Sequence, residues 1–147
     1  MRYLSLVVLG AVLAGCGGSG GPAPDTAASP PRRAPTLVSF QRNGGMVATL
    51  DAVLVRTDGW TRSDKRYGGA GRRYEDFHLR ADMLARLRAQ LARLPARPPR
   101  ARAGAAQAPT YLVRYRSTTY YARGGAVPHA LRPAIATLQA IVDGGGR

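Results

Sequence analysis

From Thr36 onward the hydrophobic and polar positions alternate in short runs, then change to a longer period. Thr36–Arg42 puts Leu37 and Ser39 on one side and Val38 and Phe40 on the other, the alternation of a strand with one buried face. Asn43-Gly44-Gly45 follows as a turn in which positive φ is cheap. Met46 to Thr57 is rich in Val and Leu and runs into Asp58-Gly59, the strongest hairpin signal in the chain. Trp60 to Lys65 is the returning strand. A second turn, Tyr67-Gly68-Gly69-Ala70-Gly71, leads into Arg73–Leu79, with Phe77 and Leu79 sharing a face. The period then changes: Leu84, Leu87, Leu91 and Leu94 fall at i, i+3, i+7 and i+10, with Arg86, Arg88, Gln90 and Arg93 between them. That spacing predicts an amphipathic helix, closed by Pro95. Asp82 in its first turn and Arg93 near its end both suit the helix dipole.

Ala96 to Ala108 is rich in Arg, Ala, Pro and Gly and reads as an exposed loop. Thr110–Arg116 and Thr119–Arg123 form a hairpin with Tyr111, Val113 and Tyr115 on one face. Leu131, Ile135, Leu138 and Val142 mark a second helix, entered through Pro128 and Pro133 and stopped by Gly144-Gly145-Gly146. Proline fits only the first turn, so regular helix begins near Pro133. Strands joined by short turns, with two one-sided helices, predict an α+β fold. Its expected form is an antiparallel meander sheet of about five to six strands, with two amphipathic helices packed on one face. This single domain covers 36–143, and 144–147 is expected to be a flexible tail. Roughly 105 residues bury about 65% of their unfolded surface, enough to fold alone.

The amino-terminal stretch is different in kind. Met1-Arg2 is followed by an apolar run from Tyr3 to Ala14, too short to cross a bilayer as a helix of about 20 residues. Residues 1–15 therefore read as a signal peptide, outside the fold. The segment Leu13-Ala14-Gly15-Cys16 resembles the lipobox of bacterial lipoproteins. The resemblance implies that a signal peptidase recognises Leu13, Ala14 and Gly15. It further implies that the sulfur of Cys16 carries a diacylglyceryl lipid and that Cys16 begins the mature chain. Anchoring becomes stable with two acyl chains, at about 0.8 kcal/mol per buried methylene. The alternative is ordinary secretion with a free Cys16 thiol. Gly17 to Pro35 has no apolar period and many Gly, Pro and Ser, so 16–35 reads as a lipidated cysteine with a disordered spacer. Such a coil spans about 24 Å. Together these segments place the protein on the extracytoplasmic face of the cell membrane, held by its lipid.

Composition narrows the chemistry. The chain has 147 residues, a formal charge of +14, and one cysteine, which excludes a disulfide framework and a multi-cysteine metal site. Lys65 is its only lysine, against 21 arginines. Convergent groups for catalysis are few. Asp76 and His78 share a strand face and His129 sits in the loop before the last helix, but neither histidine has a third group to complete a site. No HExxH, CxxC, Walker loop or GxSxG occurs. The expectation is a protein that is not an enzyme, with no metal and no cofactor beyond the covalent lipid. Nucleic-acid binding wants basic residues gathered on one face, whereas Arg32, Arg33, Arg97, Arg100, Arg102 and Arg147 fall in low-structure segments. The charge points instead to anionic phospholipid and cell-wall polymers, at about 1 kcal/mol per charge near the surface.

The string Val38-Ser39-Phe40-Gln41-Arg42-Asn43-Gly44-Gly45-Met46, the Leu84/Leu87/Leu91 helix, the Tyr111–Tyr115 strand and Val127-Pro128-x-x-Leu131-Arg132-Pro133 into Leu138-x-x-Ile141-Val142 resemble the emfourin family. These are small inhibitors of thermolysin-like (protealysin) metallopeptidases, and such a domain also occurs in actinobacterial lipoproteins. The resemblance implies an α+β inhibitor that occludes a peptidase cleft without chemistry of its own. Here the Gly-Gly pair continues as Met46-Val47-Ala48, where relatives often carry a Phe-Ala-Gly-like stretch. The candidate partner-binding loop is Asn43, Gly44, Gly45 and Met46, whose single apolar tip suits a specificity pocket and whose glycines permit close backbone approach. The same residues also read as a plain hairpin turn. Two functions stay open at this point: a peptidase-binding module, and a structural envelope lipoprotein held by its basic surface to anionic lipid or polymer.

Overall fold

Eight residues of strict alternation, Thr36–Asn43, form β1, with Val38 and Phe40 fully buried on one side. A computed structural model describes residues 33–44, 49–67, 71–100, 104–105 and 107–147. The signal segment, Leu13 to Cys16 and the spacer up to Arg32 lie outside the described residues, as do Gly45 and Met46. The chain continues through β2 (Thr49–Arg56), β3 (Trp60–Tyr67) and β4 (Gly71–His78), then α1 (Ala81–Ala92). A hairpin of β5 (Thr110–Tyr115) and β6 (Thr118–Arg123) follows, then a 3-10 turn at His129–Leu131 leading into α2 (Arg132–Val142). The fold is α+β: one antiparallel six-stranded sheet with two helices, in the strand order β4-β3-β2-β1-β5-β6.

The first four strands meander outward from β1 to the β4 edge. The chain then returns along α1 and lays β5 against the other side of β1. No short turn joins β4 to β5, because the helix must first cover the apolar face. That face is built from directly opposed residues: Phe40 pairs with Val53 on β2 and Val113 on β5, Val38 pairs with Val55 and Tyr115, and Val113 pairs with Tyr120 on β6. Leu87 and Leu91 of α1 and Ile135, Leu138, Ile141 and Val142 of α2 close over it. Leu84 and Leu94, the outer members of the leucine stripe, pack at the core's margin. Among the described residues every member of this core lies between Val38 and Val142, within the 33–147 unit.

Turns set the strand register. Asp58 Oδ1 accepts the Trp60 N–H at 3.0 Å, and Gly59 takes φ +89° to reverse the chain. A Cβ on Gly59 would stand 3.2 Å from Leu84 of α1, so glycine serves both the turn and the helix contact there. Tyr120 Oη donates to the Pro95 carbonyl at 2.8 Å, fixing where α1 ends. Regular helix α2 begins at Arg132, with Pro133 in its first turn. Residues 144–147, expected as a flexible tail, turn back onto the domain. The Gly146 carbonyl accepts the Arg80 N–H at 2.9 Å, and the Arg147 guanidinium pairs with Glu75.

One charge pair sits against the core. Asp51 is 3% exposed and stands directly opposite Arg42, whose Nε and Nη2 both donate to its Oδ2 at 2.9 and 2.6 Å. Arg42 Nη2 also reaches Asp143 at the end of α2, at 3.2 Å. Burial works against the Arg42 charge, but the hydrogen bonds and charges of Asp51 and Asp143 outweigh it and hold its pKa above the ordinary value. The triad thereby ties β1, β2 and α2 together. Replacing Arg42 by Met strands the buried Asp51 carboxylate and should cost about 3 kcal/mol of unfolding free energy. Adding Asp51→Leu to that variant removes the stranded charge and should recover at least half of the loss, read from urea midpoints at constant m.

Candidate functional site: the uncovered sheet face

Alternation that sends Val38, Phe40, Val53 and Val55 toward the helices sends their neighbours to the opposite side. Ser39 and Gln41 of β1 stand opposite Leu54 and Ala52 of β2. Leu54 and Ala52 in turn face Arg62 and Asp64 of β3, and those face Asp76 and Tyr74 of β4. The core's helices lie on the other side. The twisted sheet forms a groove of about 590 Å³ here, with Ala52 and Leu54 on its floor and Arg62, Asp64, Arg72 and Tyr74 on its β4 side.

This face is organised by guanidinium groups. Arg62 grips Asp76 with two parallel hydrogen bonds of 2.7 Å. Arg72 grips Asp64 through Nε at 2.9 Å and Nη2 at 2.5 Å. The planar fork of arginine matches a carboxylate in this way, which an ammonium cannot do. The guanidinium of Arg72 also lies 4.2 Å from the centre of the Tyr74 ring, and those of Arg56 and Arg62 lie 3.9 and 5.2 Å from that of Trp60. Such cation–π contacts hold the aromatic rings in place. The Arg72 hydrogen bond is the main reason the Asp64 carboxyl titrates below its usual range, and the Arg62 hydrogen bond does the same for Asp76. Tyr74 remains 52% exposed, the most exposed large hydrophobic residue described, and Tyr121 on β6 follows at 43%.

The candidate residues from the sequence fall in several places. Asn43 ends β1 exposed, continuing the row of Ser39 and Gln41 at the groove's rim. Gly44 adopts φ +88°, donates its N–H to the Thr49 carbonyl at 3.1 Å and has open space around it. His78 is exposed opposite Trp60, and its strand neighbour Asp76 is engaged by Arg62 rather than by the imidazole. His129 is exposed in the 3-10 turn. Among the described residues no group of three or more His, Cys, Asp or Glu side chains is placed to hold a metal ion. Also among them, no helix is long and apolar enough to cross a membrane.

Sequence reasoning missed the groove, although a signal for it existed. Strand β2 is apolar on both sides, with Val53 and Val55 toward the helices and Leu50, Ala52 and Leu54 away from them. A strand of that kind wants cover on both faces, and among the described residues the helices cover one. No protein-family model, no curated protein and no solved structure matches the chain. The site is therefore read from its own residues.

The Asp64–Arg72 contact gives a pH signature. A carboxyl held below its unfolded value of about 3.8 contributes stability above that pH, and loses it as the pH falls through the folded value. The stability gap between the wild type and Asp64→Asn should be open at pH 6 and close steadily below about pH 4. Melting temperatures of the two proteins across that range check this; a gap independent of pH would contradict it.

Proposed function

We propose that the protein is a lipid-anchored lipoprotein on the extracytoplasmic face of the cell membrane, and that its folded unit is a non-enzymatic, protein-binding module. The docking surface is the open sheet face with Asn43 and Gly44 at its end, extended by the candidate loop residues Gly45 and Met46. The partner is a secreted thermolysin-like metallopeptidase, whose cleft the module blocks. One observation carries this reading: both helices cover the same side of the sheet, and among the described residues this leaves a groove whose Arg, Tyr and Leu side chains are uncovered and held in place by their neighbours. Trp, Tyr and Arg are the residues that dominate protein–protein binding energy. A ring pinned by a guanidinium has less freedom to lose when a partner arrives. The resemblance of the Val38–Met46 string to the emfourin family supplies the class of partner, and the Leu13–Cys16 string supplies the anchor. An inhibitor of this type needs a complementary surface and no reacting groups.

Titrating the 33–147 unit against a secreted thermolysin-like metallopeptidase of the same organism should abolish peptidase activity at a 1:1 ratio. Tyr74→Ala should weaken inhibition by about 10-fold or more, the scale of losing an aromatic hot spot. Undiminished activity at large molar excess of the module would remove that peptidase as a partner. The anchor has its own test. Radiolabelled palmitate should enter the wild type and not Cys16→Ala, and label retained on the variant would exclude acylation at this cysteine.

A second reading is favoured by the charge distribution. Asp51, Asp64, Glu75, Asp76, Asp82 and Asp143 are all engaged by arginine. Exposed cations such as Arg86, Arg93, Arg97 and Arg100 have no carboxylate within salt-bridge distance among the described residues. A structural lipoprotein held to anionic wall polymer would use them. On that reading the 33–147 unit should sediment with purified wall at low salt, lose that adhesion as ionic strength rises, and lose part of it in Arg97/Arg100/Arg102→Ala. Equal sedimentation of both proteins under all conditions would discard it.

A further inference from the structure

On the helix-covered side, the sheet changes character at its β3–β4 end. Lys65 of β3 and Arg73 of β4 stand directly opposite each other, and like charges in that arrangement repel. Neither has a carboxylate within salt-bridge distance among the described residues. Ser63, one step back along the same face of β3, is 4% exposed, and its Oγ has no hydrogen-bond partner. These three side chains line one cleft of about 180 Å³. Its other wall is the end of α2 and the residues after it, from Asp143 to Arg147, together with Glu75. Both carboxylates of the cleft are already satisfied, Glu75 by Arg147 and Asp143 by Arg42. The arrangement leaves two unmatched cations and a buried unused hydroxyl around one small space.

We propose that this cleft binds a single phosphate group, with Lys65 and Arg73 supplying the charge and Ser63 Oγ a hydrogen bond. The donor set argues for phosphate over carboxylate. An ammonium, a guanidinium fork and a hydroxyl on adjoining positions of one sheet face offer more donors than the two oxygens of a planar carboxylate need, which suits the several acceptor oxygens of a tetrahedral anion. The volume is that of about six liquid waters at ~30 Å³ each, enough for a phosphate group with part of its hydration. A bound anion would also relieve the Lys65–Arg73 repulsion; Asp51, opposite Lys65 on β2, is engaged by Arg42 instead. The group could be free inorganic phosphate or the phosphodiester of a lipid headgroup or wall polymer; the chemistry at the three ligands is the same. The cleft lies on the opposite side of the sheet from the groove, so it does not depend on what docks there.

The full chain, purified in detergent, is titrated by calorimetry at a fixed ionic strength of about 0.15 M. One arm uses inorganic phosphate and the other glycerophosphoglycerol, a water-soluble diester. One-site saturation is expected with at least one probe, weakened about tenfold by Lys65→Gln and by Arg73→Gln, the scale of one charge-assisted hydrogen bond. Ser63→Ala should weaken it less. The tighter probe identifies the source, free phosphate or diester. Lys65 and Arg73 lie outside the apolar core and repel each other, so their variants should melt no lower than the wild type, which is measured alongside. Because Lys65 is the only lysine, slowed acylation of its amine in the presence of the bound probe gives a second readout by mass spectrometry. Saturation with neither probe up to about 10 mM, or binding left unchanged by both charge variants, overturns the proposal.

Discussion

The structure depends on covering one apolar sheet face with two short helices that cross the strands. Six strands at about 4.8 Å spacing make a sheet about 24 Å wide. Helices α1 and α2, with 12 and 11 residues, are about 18 and 17 Å long. Named contacts trace their paths. Helix α1 leaves the β4 side beside Gly59, and the segment after it meets Tyr120 of β6 at Pro95. Helix α2 passes Tyr111 through Gln139 and ends where Asp143 meets Arg42. Cover is therefore short by roughly a strand's width, and the sequence accommodates this at one edge. Among the described side chains of β3 the buried ones are Thr61 and Ser63, and no side chain of β4 is fully buried. The apolar face sits under β6, β5, β1 and β2, and the polar cleft of Ser63, Lys65 and Arg73 occupies the remainder.

Charge follows the same geometry. Where a carboxylate lies against the core, as Asp51 does, its arginine is fixed by two hydrogen bonds and shared with a second acid at a helix end. That pair is costly to break because the remaining charge would have no water to return to. The pairs on the open face, Arg62–Asp76 and Arg72–Asp64, are solvent-accessible, and exposed pairs contribute about 0–1 kcal/mol. Their effect lies less in stability than in order along the β4 edge. An edge strand carrying Arg72, Arg73, Glu75 and Asp76 also resists pairing with a second chain.

Much of this fold was legible in the chain. Period-two alternation located β1 and β5 and the faces they share, the hairpin reading located β6, and the Leu84/Leu87/Leu91/Leu94 stripe located α1, because these patterns are set by local geometry. Strand order was less accessible. That β5 pairs with β1 and not with β4 follows from where α1 must lie, a long-range requirement that no local pattern carries. The candidate site was legible only in part. Gly44 takes the positive φ that its type announces after Asn43 ends β1, whereas the groove depends on residues such as Ser39, Leu54, Arg62 and Tyr74 meeting across four strands. Lys65 and Arg73 were separate charges in the sequence, and only the β3–β4 register sets them face to face.

The two surfaces left by the short helices differ in what they can recognise. At the centre of the open face every carboxylate is matched by a guanidinium, so the groove is close to neutral despite its many charges. A polyanion gains most from unmatched cations; among the described residues these cluster on α1, along 96–100 and in the β3–β4 cleft, while on the open face Arg56 and Arg114 stand at the margin of the groove. What the groove offers is fixed shape: an apolar floor of Ala52 and Leu54 beside a tyrosine stacked against its arginine. Shape of this kind rewards a complementary protein surface, because side chains already ordered lose little entropy on contact. The fold thus separates a shaped face with paired charges at its centre from a small cationic cleft on its far side, and a ligand in one leaves the other open.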